Sequence, residues 1–319
     1  MSSSRYGFIA RRLKQTLART ASALAEHARR GRFTPVGLEI AFGPGERLPP
    51  LVLPAGPGRS VEVVGRIDRV DAAETEDGLF LRIIDYKSSA KILRLEEVAF
   101  GLALQLLTYM DALLTHAPDW LGRPAEPAGV LYFHVHDPLI ASPAPLPGDE
   151  ARRQALKRYR TRGLLTADED IVRMMDLELQ TGRSELVPAG LRKGGGFYGD
   201  SAVVTRDEWE VLRGAVRRTI GRIAGRILDG EVAIAPYRMG DRTPCAFCPY
   251  KPVCHFDPLV EGNGYRRIGK IPKERIWELL REGAAIGPAA EAGKAPDGIA
   301  AGGEAAARGN DFSGDGGEG

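Results

Sequence analysis

Gly65-Arg66-Ile67-Asp68-Arg69-Val70-Asp71 and, after a turn around Glu76-Asp77-Gly78, Ile83-Ile84-Asp85-Tyr86-Lys87-Ser88-Ser89 decide how this chain is read. Both stretches alternate in the manner of strands. The spacing predicts strands over 60–72 and 79–87, joined as a hairpin. Side chains two apart on a strand share a face, so Asp85 and Lys87 point the same way. Asp68 lies on the partner strand, within reach of the same spot.

Two carboxylates at one place suit Mg²⁺ or Mn²⁺, hard cations that prefer oxygen ligands. Such a metal polarises a phosphate and lowers the pKa of bound water. Lys87 is placed to orient or deprotonate that water, or to stabilise charge on the phosphorus. Ile83 and Ile84 keep the floor dry, which strengthens these electrostatics. A lone D-x-K is common, so the context matters. An apolar helix is expected over 95–114, carrying Gln105 and Tyr109 on one face at i,i+4 spacing. Gly101 falls one turn earlier on that face and leaves room for a backbone. The plainer reading of Gln105 and Tyr109 is ordinary buried hydrogen bonding.

Working outward, 6–30 reads as an amphipathic helix, with Ile9, Leu13, Leu17, Leu24 and Ala28 at helical spacing. A short strand is expected at 38–42, a Pro/Gly-rich loop at 43–58 and a strand at 129–136. A charged helical region follows over 150–183, then a glycine loop at 194–196. A long helix is expected over 205–228, with Thr205 or Asp207 as cap, and a short one over 273–281. This order predicts an α/β or α+β core around a central mixed sheet flanked by helices. The expected organisation is a core with helical additions over 1–235, a cysteine-rich clasp over 236–285 and a disordered tail over 286–319. That tail is rich in Ala, Gly, Glu and Asp and almost lacks large apolar residues.

The 319 residues include 43% hydrophobic ones, enough for a real core. No run reaches the roughly 18 apolar residues needed to span a bilayer. The first residues lack the apolar stretch of a signal peptide, which points to a cytoplasmic protein. The net charge of +2 hides an acidic tail and a basic body. Arg5, Arg11, Arg12, Lys14 and Arg19 form one basic cluster. Arg152, Arg153, Lys157, Arg158, Arg160 and Arg162 form a second. Arg213, Arg217, Arg218, Arg222 and Arg226 form a third. Such clusters hold phosphates or simply solvate a helix face. His134 and His136 share a face with Tyr132 and read as structural. Gly264-x4-Gly269-Lys270 imitates a phosphate loop, but Ile271 replaces the Ser/Thr that would hold Mg²⁺, so no ATP site is expected.

Cys245-x2-Cys248-x5-Cys254 contains all three cysteines within ten residues, which suits a metal or cluster site better than a disulfide framework. Three thiolates are one short of the usual four. His255 is a poor fourth because it adjoins Cys254. Zinc, a ligand from a partner chain, and an incompletely held cluster all stay open.

The segments GRIDRVD, LRIIDYKSS and LQLLTYMD resemble the RecB-like branch of the PD-(D/E)XK nuclease superfamily. VGLEIAFG, GVLYFHVHDP, PYRMGDRTPCAFCPYKPVCHFD and GYRRI extend the likeness to the nuclease regions of AddB-type helicase/nuclease subunits. The resemblance implies a restriction-endonuclease-like fold and Mg²⁺-dependent exonuclease or endonuclease action on DNA during double-strand-break processing. It also implies a single-stranded DNA end as substrate and an AddA-like partner subunit. It assigns metal binding to Asp68 and Asp85, catalysis to Lys87, and a place beside the DNA to Gln105 and Tyr109. Glu39 matches a recurring family glutamate of open role. The resemblance further implies a [4Fe–4S] cluster on Cys245, Cys248 and Cys254, whose fourth cysteine lies upstream in the family and is absent here. The family's upstream histidine has no counterpart in context, and its role is not carried to His27. The alternatives are a non-catalytic DNA-binding or scaffold module and a zinc-stabilised structural domain.

Overall fold

The computed structural model describes residues 3–142 and 144–283; the predicted disordered tail lies outside them. Helix α1 (Ser3–Arg29) carries the expected amphipathic spacing, yet Leu13 and Leu17 stand in solvent. Only its C-terminal half is anchored, through Thr20, Ala23 and His27. Strand β1 (Thr34–Phe42) follows. Next come β2 (Leu51–Pro54) and β3 (Ser60–Val63), which pair only with each other. The single strand expected over 60–72 is therefore two. Val64 separates β3 from β4 (Gly65–Thr75), which forms the hairpin with β5 (Gly78–Lys87).

The helix expected over 95–114 is also two pieces. Helix α2 (Leu95–Ala99) ends at Gly101, whose φ of +73° is left-handed, and α3 (Gln105–Leu121) starts afresh. Gly101 thus serves as a helix stop rather than as a gap on a helix face. Strand β6 (Ala125–His134) then lies parallel to β5, with α3 in the crossover.

Helix α4 (Gly148–Arg158), strand β7 (Arg162–Thr166) and helix α5 (Glu169–Met175) replace the helical region expected over 150–183. Strand β7 belongs to the central sheet, and its Gly163-Leu164-Leu165 run is buried there. Two short strands, β8 (Gly182–Arg183) and β9 (Gly190–Leu191), pair together, and β10 (Val203–Val204) closes the far edge of the sheet. The order is β1-β4-β5-β6-β7-β10. Pairs β5/β6 and β7/β10 are parallel and the others antiparallel, as a mixed sheet requires.

Helix α6 (Arg206–Leu228) is capped by Thr205, whose hydroxyl accepts from Glu208 N–H while Glu208 accepts from Thr205 N–H. After it come β11 (Tyr237–Arg238), a 3₁₀ turn at Pro244–Phe247, α7 (Lys251–Cys254), β12 (Arg266–Arg267) and α8 (Lys273–Glu282).

Alternation on the strands sends apolar side chains to both sheet faces. Leu81, Ile83, Val130, Tyr132 and Leu164 meet α3 and α6 on one face, through Leu106, Met110, Leu212 and Val216. Phe80, Leu131 and Leu165 meet Ile171, Val172 and Met175 on the other. Ile84 and Phe133 continue that second face beneath Ala23 of α1 and Tyr159. Each fully buried side chain of this size contributes roughly 1.5–3 kcal/mol.

The third basic cluster is consumed by the fold. Arg213 and Arg217 both hold buried Asp111 of α3. Arg218 donates to Leu280 O at 2.7 Å and Arg222 to Gly283 O at 3.4 Å, capping the last carbonyls of α8. Arg226 pairs with Glu231. No described helix is long and apolar enough to cross a membrane.

Candidate active site

The β4–β5 ladder runs from Thr75↔Gly78 up to Arg69↔Ile84 and stops there. Beyond that point Asp68 replaces the backbone: its Oδ2 accepts from Tyr86 N–H at 2.9 Å. Ile67 and Val70 are both fully buried in the α3-side core although three residues apart. Strand alternation therefore slips once between them, at the level of Asp68. Strand β1 is irregular at the same level. Leu38 pairs with Arg69 and Ile40 with Ile67, and Glu39 between them has φ +49°. A non-glycine residue in that region costs on the order of 1–3 kcal/mol and persists only when its surroundings hold it. Here the irregularity in both strands lets the Asp68 carboxylate leave the ladder and reach β5. Glu39 itself is exposed, with Arg66 at 3.8 Å.

Asp85 alternates with Ile84, so it lies on the α3 face with Ile83. Its side chain is 3% exposed. Lys87 Nζ stands 2.5 Å from Asp85 Oδ2, an ion pair, and no other donor among the described residues reaches that buried oxygen. Burial raises the Asp85 pKa above the usual carboxylate value. Lys87 pulls it back, Asp68 adds to the rise, and Lys91 opposes it. Those influences put both carboxylates and two lysines in one electrostatic neighbourhood. Tyr132, the β6 partner of Asp85, lies beneath it. Lys91 Nζ is 5.4 Å and Lys87 Nζ 6.0 Å from the Tyr132 ring centre. Burial, with the charges of Asp85 and Glu97, pushes the Tyr132 hydroxyl up to about 12. It stays protonated at neutral pH.

Gln105 opens α3 and donates to Tyr109 Oη at 3.1 Å. The Tyr109 ring meets Phe42 edge-on, at 5.8 Å between centres. Gly65 explains how the pair reaches the hairpin. A Cβ there would lie 2.8 Å from the Phe42 ring and 3.0 Å from the Tyr109 ring. Only glycine admits both rings, three residues before Asp68. The structure thus brings Asp68, Asp85 and Lys87 together and sets Tyr109 against the same strand.

Lys91 is not legible in the sequence, because it sits in the loop after β5 where no periodicity applies. Glu97 carries no sequence signal either. It is nearly buried on α2 and accepts from Arg242 Nη1 at 2.7 Å, tying the segment after α6 to the site's surroundings. His134 and His136 stack at 3.9 Å, and His134 Nε2 lies 3.3 Å from Ser88 O, in keeping with structural roles. His27 packs edge-on against Phe133, on the sheet face opposite Asp85. Burial, and then the charge of Arg82, lower it to about 4.

A hard cation fits the donor set of Asp68 and Asp85. Among the described residues the buried Asp85 Oδ2 is met by the Lys87 ammonium alone, which leaves lone pairs on the two carboxylates for a cation. Two carboxylates with water and phosphate oxygens make an ordinary Mg²⁺ shell. The three cysteines are one thiolate short of a four-ligand cluster. Cys245, Cys248 and Cys254 are free and partly exposed. No three His, Cys, Asp or Glu side chains form a metal-holding group among the described residues. Cys245 lies in the 3₁₀ turn, Cys248 just after it and Cys254 at the end of α7.

The model of the PD-(D/E)XK nuclease superfamily matches residues 1–255. The chain belongs to this superfamily. Its matched span contains the whole hairpin, α3 and β6, so the superfamily's sheet is the one that carries Asp68, Asp85 and Lys87. The chain is similar to the B subunit of the ATP-dependent helicase/deoxyribonuclease of Bacillus pumilus, 49% identical over 282 residues, 88% of this chain and 24% of that protein. The protein of the same name from Bacillus subtilis is 47% identical over 284 residues, 89% of this chain and 24% of its own length. That of Geobacillus thermodenitrificans is 49% identical over 281 residues, covering 88% and 24%. The chain spans about a quarter of the length of these relatives.

Proposed function

We propose that this chain is a Mg²⁺- or Mn²⁺-dependent deoxyribonuclease module that hydrolyses DNA phosphodiester bonds during double-strand-break processing. The observation that carries it is Asp68 drawn out of its ladder onto Tyr86 N–H, beside a buried Asp85 whose Oδ2 is ion-paired with Lys87. Asp68 and Asp85 would hold the cation, which when bound supplies charge for the phosphate and a more acidic water. The chain's own residues do the rest. Lys87 lies at the dry end of β5, where its ammonium neutralises charge gained by the phosphate in the transition state. Lys91 adds a second positive charge from the adjacent loop. Gln105 and Tyr109 form a hydrogen-bonded pair at the start of α3 that guides the strand past Gly65.

By analogy with these helicase/deoxyribonuclease relatives, the module works beside an AddA-like helicase partner on a single-stranded DNA end, in the cytoplasm and without an ATP site of its own. The cysteine segment is a candidate iron–sulfur clasp whose fourth ligand would come from outside these three thiolates, a partner chain included, and zinc is the alternative.

The test is cleavage of a labelled single-stranded oligonucleotide with and without Mg²⁺. Asp85→Ala should abolish metal-dependent cleavage with the circular dichroism spectrum unchanged. Asp68→Asn keeps an acceptor for Tyr86 N–H while removing the charge, and should lower cleavage at least about 100-fold. Full activity in either variant would sink the assignment.

A further inference from the structure

The second basic cluster, unlike the third, is left partly unpaired. Lys157, Arg158, Arg160, Thr161, Arg162 and Pro188 line a cavity of about 290 Å³ where α4 turns into β7. The acids nearby are already engaged. Glu185 is held by Arg30 at 3.2 Å and Arg153 at 2.6 Å, with Lys157 at 3.6 Å. Asp200 is held by Arg183 at 3.0 Å. Arg160 is turned inward and donates to Val187 O at 2.8 Å. Arg158 and Arg162 are exposed, and neither has an ion-pair or hydrogen-bonded side-chain partner among the described residues. The cavity therefore carries positive charge that nothing in the described fold consumes.

Its place in the sheet gives that charge a meaning. Asp85 pairs with Tyr132, and Tyr132 pairs with Arg162 on the next strand. Arg162 has the parity of Leu164, which packs in the same core as Ile83, so it lies on the sheet face that bears Asp85. Burial first, then His136 and last the charge of Arg162, depress His134, two residues beyond Tyr132. Two strand spacings amount to about 10 Å. A stacked strand advances about 3.4 Å per nucleotide. The distance from Asp85 to Arg162 is thus on the order of two to three nucleotides. Lys91, Lys87 and Arg162 stand around Tyr132, and Arg158 lines the same cavity as Arg162.

We propose that Arg158 and Arg162, backed by Lys157 and Arg160, form a second phosphate site that seats a single DNA strand two or three nucleotides from the bond cut at Asp85. This rests on the nuclease reading above and names where that reading's substrate is held. A backbone phosphate fits because the cavity offers guanidinium donors, has no aromatic side chain in its lining, and reaches the face of the metal-binding carboxylates through Arg162. Guanidinium forks match phosphate oxygens two at a time.

The test uses the full chain in EDTA, with fluorescence anisotropy of a labelled oligothymidylate over a range of salt. Arg158→Ala/Arg162→Ala should weaken binding about tenfold and reduce the slope of log affinity against log salt by about 1.4, two phosphate contacts on a single strand. A control pair, Arg123→Ala/Arg206→Ala, removes the same charge at the opposite end of the sheet, where both arginines are paired with acids. It should leave the slope unchanged. A neutral methylphosphonate walked along the oligonucleotide should weaken binding to the unmodified chain at a position two or three nucleotides from the cut, and not to the double variant. An unchanged slope in the double variant, or an equal drop in the control pair, overturns the proposal. The salt-slope readouts need no cleavage. If Asp85→Ala still cut DNA, the metal assignment would fail while the phosphate site stood or fell on its own slope.

Discussion

Removing the carboxylate of Asp111 should unlatch α3 from α6. Asp111 is buried and takes both arginines of the neighbouring helix. Arg217 grips it with two donors, Nε at 2.6 Å and Nη2 at 2.8 Å, and Arg213 Nε donates to Oδ1. Thr115 Oγ1 accepts from Arg217 Nη2 at 2.9 Å and completes the cluster. Breaking one side of a buried ion pair costs about 3–5 kcal/mol when the remaining charge stays dry. Here the arginine side chains are 28% and 38% exposed and can rehydrate, which discounts that figure. Asp111→Ala should therefore cost about 2–3 kcal/mol and lower the melting midpoint by roughly 5–10 °C. Urea and thermal unfolding followed by circular dichroism measure this. A double-mutant cycle with Arg217→Ala should return a coupling of at least about 1 kcal/mol. A loss below about 0.5 kcal/mol, or additive single effects, would refute the latch.

Three further outcomes follow from other parts of the molecule. Gly65→Ala places a methyl against Phe42 and Tyr109 and should cost about 1–3 kcal/mol; cleavage should fall further than stability explains, and an unchanged kcat would argue against Tyr109 guiding DNA. His27 is held neutral to about 4 in the fold and titrates near 6.5 when unfolded. The unfolded chain thus binds more protons between those values, and stability falls as pH drops through that window, by up to about 3 kcal/mol. His27→Leu should flatten the stability profile between pH 6.5 and 4; an unaltered slope would exclude His27 as its source. Thr205→Ala breaks the reciprocal cap of α6 and should lower stability by about 1 kcal/mol in urea titration, whereas Thr205→Ser should restore it.

The hairpin was readable because a strand ending in D-x-K beside a G-x-I-D strand combines two local patterns, alternation and a turn. The cap of α6 was readable to within two residues, Thr205 or Asp207, and the structure chooses Thr205 through its reciprocal bonds with Glu208. The failures are equally physical. Residues 95–114 look continuous because their apolar spacing runs through Gly101, and only the observed left-handed φ shows the break. Residues 150–183 are charged at both ends, which hid β7, a short strand buried between β6 and β10. Lys91 and Arg162 carry no motif; both reach the site only because β5, β6 and β7 lie side by side.

The sequence by itself determined which groups could do chemistry, because two carboxylates and a lysine at strand spacing need only local geometry to share a face. It also determined the strand–turn–strand frame that holds them. Tertiary structure alone decided the rest. It drew Asp68 from its ladder onto Tyr86, spent the third basic cluster on Asp111 and the end of α8, and set Arg162 in register with Asp85 across Tyr132. Pairing between distant charges depends on packing across the sheet, and no periodicity along the chain records it.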